Sequence, residues 1–271
     1  MVSDQTQTAR RRRSNAMIAV RKYVLPVLII GSVLFGACGG TTQTEPTAAP
    51  TTAMGEGNST SNGLSADLLG AGASFPAPIY LEWISEYTSN VESGVSINYQ
   101  SIGSGGGVEQ FIGQQTNFGA SDAFLSDEEI ADATAARGCA PIHIPTVFGA
   151  VSIGYNLEGV DGLTLSGPVL ADIFLGNVSS WTDPAIADLN PGVDLPDEDI
   201  IVAHRSDGSG TTSIFTTYLS DVSSDWADQV GAGKEVEWPA PNSVGGEKND
   251  GVAAQIQQNP GAIGYIELSY A

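Results

Sequence analysis

From Ala66 onward, short apolar runs alternate with stretches whose apolar residues recur every third or fourth position. Residues 68–72 read as a short buried strand. The stretch after it carries Phe75, Ile79, Trp83 and Tyr87 four apart, which predicts a helix buried along that face. Ser74 stands where an N-cap belongs, with Pro76 and Pro78 in the first turn. Val95, Ile97 and Tyr99 alternate with polar residues as a strand. A glycine-rich loop over 101–107 leads to a helix bearing Val108, Phe111 and Ile112, and a short strand follows at 118–120. Ser126 and Glu129 form the ends of a capping box that opens another helix. Further on, 146–155 reads as one long apolar strand, and Ser166 and Pro168 open a helix through Leu170 and Phe174. Residues 200–203 read as a strand, and a helix with Ile214, Phe215, Tyr218 and Leu219 comes after the loop 205–212. Val252 and Ile256 mark a last helix, stopped by Asn259-Pro260-Gly261 before a strand over 262–268. Alternation of this kind predicts an α/β fold with largely parallel sheets.

The first 65 residues have a different character. Residues 23–37 are an apolar run behind Arg21 and Lys22, shorter than the roughly 20 residues a bilayer span takes. A basic start, a short apolar stretch and small residues before Cys38 describe a secretory signal. The Gly36-Ala37-Cys38 ending resembles the lipobox of bacterial lipoproteins, in which the cysteine is acylated; Phe35 stands where leucine is usual. An uncleaved anchor is the other reading, and both place the rest of the chain outside the cytoplasmic membrane. Residues 39–65 are mostly Gly, Thr, Gln, Pro, Ala, Ser and Asn with almost no large apolar side chain. Such a segment buries too little to offset its ordering entropy, and as a flexible tether it spans about 30 Å.

Charge narrows the function classes. The net charge is −21, and all ten basic residues except Arg137, Arg205, Lys234 and Lys248 lie before residue 23. A protein that binds nucleic acid by neutralising phosphates with a basic face is excluded. Two cysteines, Cys38 and Cys139, make no disulfide scaffold, and Cys139 is expected to be a small buried or half-buried side chain. His143 and His204 share no metal-ligand spacing, and His204 reads as a strand-end residue. Neither a Gly-x-Ser-x-Gly elbow nor a P-loop occurs. No metal or cofactor is expected.

The candidate chemistry lies at three strand-to-helix junctions: Gly70 to Phe75, Gly103 to Gly106, and Asp207 to Thr211. A helix N-terminus offers unpaired N–H groups and the positive end of its dipole, and Ser or Thr adds a hydroxyl donor. Capping alone accounts for any one of them. Three on one α/β chain point to an anion, because ligands gather at the carboxyl ends of parallel strands. Arg205, directly before the third, is suited to bidentate recognition of a tetrahedral oxyanion.

Six stretches carry a family resemblance. They are Gly70-Ala-Gly-Ala-Ser-Phe-Pro-Ala-Pro-Ile-Tyr80, residues 99–108, residues 118–122, Trp181 with residues 189–192, Arg205-Ser-Asp-Gly-Ser-Gly-Thr211, and Pro260-Gly-Ala-Ile-Gly-Tyr265. Through them, nearly all of 66–271 closely resembles the periplasmic phosphate-binding proteins, the substrate-binding subunits of high-affinity phosphate ABC transporters. The resemblance implies a two-lobed, hinge-closing periplasmic-binding-protein fold of type II, and a monomer that binds inorganic phosphate between its lobes. It implies delivery to membrane permease subunits, a lipid anchor at Cys38, and a place in the periplasm or on the outer face of the cytoplasmic membrane. It also implies that Ser74 and Ser104 supply hydroxyls and Phe75 a backbone N–H. Asp122 would accept a proton carried by phosphate, Arg205 would donate with Asp207 as its ion-pair partner, and Ser209, Gly210 and Thr211 would supply the remaining donors. Ser74 replaces a commoner threonine, and Gly105 replaces a serine that often follows Ser104. The implied organisation is a signal peptide over 1–37, a tether over 38–65, a first lobe from 66–145 and a second over 146–262. Residues 263–271 would be a return strand to a first lobe that is incomplete at the C-terminus. Two alternatives stay open: a secreted phosphatase-like enzyme, and a binding protein for another oxyanion.

Overall fold

The computed structural model describes residues 63–271, so the signal segment 1–37, Cys38 and the tether up to residue 62 lie outside the described residues. Two sheets organise the described chain. The first is all parallel, in the order β2-β1-β3, with β1 at Ala66–Gly72, β2 at Val95–Ser101 and β3 at Phe118–Ala120. Its helices are α1 (Ala77–Glu86), which runs on into a π-helical turn at Tyr87–Val91, α2 (Gly103–Ile112) and α3 (Asp127–Arg137). The second sheet has the order β4-β7-β5-β6, with β4 at Val151–Tyr155, β5 at Ile201–Arg205, β6 at Ser243–Gly246 and β7 at Ala262–Glu267. Here β4 runs antiparallel to β7, and the other pairs are parallel. Its helices are α4 (Gly167–Leu175), α5 (Pro184–Ala187), α6 (Gly210–Val222), α7 (Ser224–Gln229) and α8 (Lys248–Gln258).

The larger core belongs to the second sheet. Trp181, Trp226, Phe174, Phe215 and Tyr265 are buried together, with Phe215 and Tyr265 stacked at 4.5 Å between ring centroids. Each indole N–H has a carbonyl partner, Trp181 at Gly261 and Trp226 at Gly231, both at 2.9 Å. On the other face, Val252 and Ile256 of α8 pack on Ala203 and Ile266. The first sheet holds a smaller cluster of Ala77, Tyr99 and Ala120. A tyrosine fits there because its hydroxyl donates to the Ala73 carbonyl at 2.6 Å.

Several elements form as their caps dictate. The Ser126–Glu129 capping box is closed in both directions at the start of α3. Ser166 caps α4 and Ser209 caps α6 through their side-chain oxygens. Others differ from the sequence reading. Ser74 is no N-cap: residues 74–76 make a turn, and the helix starts at Ala77 without a side-chain cap. That shift rotates α1, so Ala77, Tyr80 and Ile84 face the sheet while Ile79 and Trp83 are exposed. Residues 103–107 are not a loop but the first turns of α2. The long strand expected over 146–155 is regular only from Val151, and Phe148 is 93% exposed. Its ladder partner explains this: β7 ends at Glu267, opposite Val151, and the chain then tightens into a 3₁₀ turn at Leu268–Tyr270. Residues 263–267, expected to return to the first lobe, instead lie inside the second sheet between β4 and β5. Cys139 is exposed rather than buried. The elements α5, β6 and α7, of 4, 4 and 6 residues, are too short for a periodicity to mark them.

Candidate functional site

The carboxyl ends of the first sheet and of β5 face one another, and two helix N-termini meet there. The Gly105 N–H of α2 donates to the Gly208 carbonyl ahead of α6 at 2.9 Å. The approach is so close that a Cβ on Gly105 would stand 2.9 Å from the Gly208 Cα. Only glycines allow two backbones this near. Asp122, two residues past β3, fills the angle between the helices. A Cβ on Gly210 would meet the Asp122 Cβ at 2.5 Å and the Ser104 Oγ at 2.6 Å. Ser104 accepts from the Asp122 N–H at 3.3 Å, and the hydroxyls of Ser104 and Thr211 each donate to Asp122 Oδ2 at 3.5 Å.

Burial pushes the Asp122 carboxyl up to about 6, against the opposing pull of Arg205 and of the Ser104 and Thr211 hydrogen bonds. Asp122 is therefore a carboxylate able to exchange roles near neutrality: acceptor when ionised, donor when protonated.

Arg205 ends β5 and is 5% exposed. Its Nε and Nη2 grip Asp207 in a fork at 2.7 and 2.5 Å. Asp207 also accepts from the Lys248 N–H at 3.0 Å, where Lys248 takes a positive φ of 62° at the start of α8. The Arg205 N–H donates to the Tyr265 hydroxyl at 3.1 Å, and that hydroxyl pairs with Thr212 Oγ1 at 2.6 Å. Burial raises the Tyr265 phenol to about 12, so it remains protonated. Since Asp207 neutralises Arg205, the attraction of this place for an anion falls mainly to the two helix N-termini and their hydroxyls. Gly103 ties the two halves: its φ is +83°, and a Cβ there would come 2.4 Å from Asp207 Oδ2. Ser209 and Thr211 are fully buried; Ser209 Oγ accepts from the Thr212 N–H at 3.0 Å as the cap of α6.

Thus Ser104, Asp122, Gly210 and Thr211 meet directly, with the Arg205–Asp207 pair beside them at Gly103. Ser74 joins through an intermediary, Asn249 of α8, whose backbone and side-chain N–H groups reach its Oγ. Phe75 is half-buried, and its ring lines a small groove of about 160 Å³ with Ile79, Val147 and Phe148. Sequence reasoning missed Asn249, Tyr265 and the Lys248 N–H. The run Gly245-Gly246-Glu247-Lys248-Asn249 is a fourth glycine-rich junction before a helix, and that signal would have found two of them. It also missed a bridge between α3 and the loop after α7, Lys234 Nζ to Glu129 Oε1 at 2.5 Å. Burial pushes Glu129 up, but hydrogen bonds from Lys234 and Ser126 outweigh it and hold the carboxyl below its ordinary range.

A second cavity, of about 540 Å³, opens beside Arg205 and Asp207 and is lined also by His204, Lys234, Glu235 and Trp238. His204 stacks on Trp238, and burial lowers its pKa. Among the described residues, no three His, Cys, Asp or Glu side chains are grouped to hold a metal ion.

Residues 41–271 match the family model described as the PBP superfamily domain. The Phosphate-binding protein PstS of Pasteurella multocida is 48% identical over 206 residues, which cover 75% of this chain and 57% of that one. The protein of the same name from Xylella fastidiosa strain 9a5c is 47% identical over 209 residues, covering 76% of this chain and 55% of that one. The chain thus spans little more than half the length of these relatives. Among solved structures, a high-affinity periplasmic phosphate-binding protein (PfluDING) bound with phosphate at pH 8.5 shares the fold. The TM-score is 0.59 and the identity 24%, covering 74% of this chain and 56% of that one.

Proposed function

The chain belongs to the PBP superfamily, and from that premise we propose that it is an extracytoplasmic receptor for inorganic phosphate. Phosphate binds between two lobes, one built on β1–β3 and the other on β4–β7, and is handed to the permease subunits of an ABC transporter for import. The receptor acts as a monomer near the outer face of the membrane, held by a lipid on Cys38 and the tether over 38–65, after loss of the signal peptide 1–37.

The observation that carries the reading is the meeting of α2 and α6 N-termini at Asp122, with Ser104 and Thr211 hydroxyls and the Arg205–Asp207 pair at the same place. In this reading the donors hold the tetrahedral oxyanion: Ser74, Ser104, Ser209 and Thr211 by their hydroxyls, Phe75 and Gly210 by backbone N–H groups, and Arg205 by its guanidinium. Asp122 accepts the proton that phosphate carries near neutral pH. A fully ionised anion such as sulfate offers no such proton and sets its lone pairs against the carboxylate. A buried polar group left without its partner discriminates strongly between analogues, and the like charges add repulsion. The relatives named Phosphate-binding protein PstS support phosphate as the ligand.

Retention of labelled phosphate by the purified full-length chain in equilibrium dialysis tests this, together with an assay of p-nitrophenyl phosphate hydrolysis. Retention without hydrolysis is expected. Turnover of the ester would favour the phosphatase reading instead, and failure to retain phosphate would overturn the receptor reading.

A further inference from the structure

We propose that Asn249 is a positioning residue that forces the Ser74 hydroxyl to act as a donor toward the bound anion. The proposal rests on the phosphate-receptor reading and adds to it a residue outside the three glycine-rich junctions.

A serine hydroxyl has one proton and two lone pairs, so by itself it donates or accepts as the surroundings allow. Around Ser74 the surroundings leave no choice. Its Oγ accepts from the Asn249 backbone N–H at 3.4 Å and from Asn249 Nδ2 at 3.0 Å. Both lone pairs are thereby engaged, and neither bond uses the Ser74 proton. That proton is left for an acceptor, and the oxygens of a phosphate are acceptors.

The orientation of the Asn249 amide follows from a third bond. Its Oδ1 accepts from the Glu267 backbone N–H at 3.0 Å. A backbone N–H only donates, so the oxygen of the amide must face Glu267 and its NH2 must face Ser74. A flipped amide would set donor against donor at Glu267 in a place without water: Asn249 is 0% and Ser74 2% exposed. The chain from β7 to Asn249 to Ser74 therefore fixes the polarity of a hydroxyl in the turn that follows β1 of the other sheet. The Ser74 backbone is pinned as well, since the Tyr270 hydroxyl donates to its carbonyl at 2.7 Å. The residue before Asn249 serves the other wall, because the Lys248 N–H holds the carboxylate that grips Arg205. The first turn of α8 thus orders a neutral and a charged donor together.

The test is a double-mutant cycle on phosphate affinity in the full-length chain, measured by calorimetry for the wild type, Ser74→Ala, Asn249→Ala and the double variant. Urea midpoints taken on each protein separate loss of fold from loss of binding. Asn249→Ala should weaken phosphate binding about tenfold, the scale of one hydrogen bond, when Ser74 is present. In the Ser74→Ala background the same substitution should cost far less. Asn249→Asp keeps the size and the Glu267 bond but turns an acceptor toward Ser74, capturing its proton. It serves where the alanine variant fails to fold, and its effect too should shrink once Ser74→Ala has removed the hydroxyl. Equal effects with and without the hydroxyl, for either variant, would overturn the proposal while leaving phosphate binding intact. A wild-type chain that ignores phosphate would overturn both.

Discussion

Replacing Asp122 with Asn should stabilise the phosphate-free protein, by an amount that grows with pH. Burial raises the Asp122 pKa from 3.8 to about 6 because removal from water penalises the ionised carboxylate more than Arg205 and the Ser104 and Thr211 hydroxyls favour it. An acid whose folded pKa exceeds its unfolded value favours the folded state only while protonated. Its contribution is complete below pH 3.8 and is lost as pH rises through about 6. At roughly 1.4 kcal/mol per pKa unit, the ionised carboxylate costs the fold up to about 3 kcal/mol at neutral pH. Asparagine keeps the shape and still accepts from Ser104 and Thr211, but never carries the charge. Urea unfolding of both proteins in phosphate-free buffer from pH 4 to 8 reads the difference. The gap should be small at pH 4, widen by about 1.4 kcal/mol per unit toward pH 6, and level off above it. A gap that does not change with pH, or an Asn variant that is less stable at pH 8, would refute the reasoning.

Three further outcomes follow from the same geometry. Asp207→Ala leaves the Arg205 guanidinium buried without its partner, and a thermal or urea melt should register a loss of about 3–5 kcal/mol. Glu129→Gln removes a bridge whose side chains are partly exposed; unfolding should change by less than about 1 kcal/mol, and less still in high salt. Gly210→Ala drives a methyl group into Asp122 and Ser104, so calorimetry should show phosphate binding at least about tenfold weaker, the scale of one lost hydrogen bond, with the far-ultraviolet circular dichroism unchanged.

The residues that stand together at the site were legible for a physical reason. Gly, Ser and Thr before an amphipathic stretch describe a helix N-terminus whatever the rest of the chain does, and Ser104, Ser209 and Thr211 lie at such starts. Asn249 lies at a fourth glycine-rich junction, but the strand before it, Ser-Val-Gly-Gly, has a single apolar side chain and no alternation, so nothing marks that junction as strand-to-helix. The apolar run at 146–150 reads as strand locally, but a strand lasts only as long as its partner, and Glu267 ends the ladder. The buried face of α1 differs from the sequence reading by one residue, Tyr80 and Ile84 in place of Ile79 and Trp83, and the Ser74 hydroxyl that looks like a cap is engaged by Asn249 across the molecule. The position of β7 inside the second sheet is likewise a property of pairing, which the local sequence does not encode.

The central claim is that Asp122 and the donors around it select an oxyanion that carries a proton. Calorimetric titration of the full-length chain with phosphate and with sulfate, near neutral pH and on a sample shown to be folded by circular dichroism, tests it most directly. The account predicts tight phosphate binding and no heat from sulfate. Binding of both with similar affinity, or of sulfate alone, would contradict it.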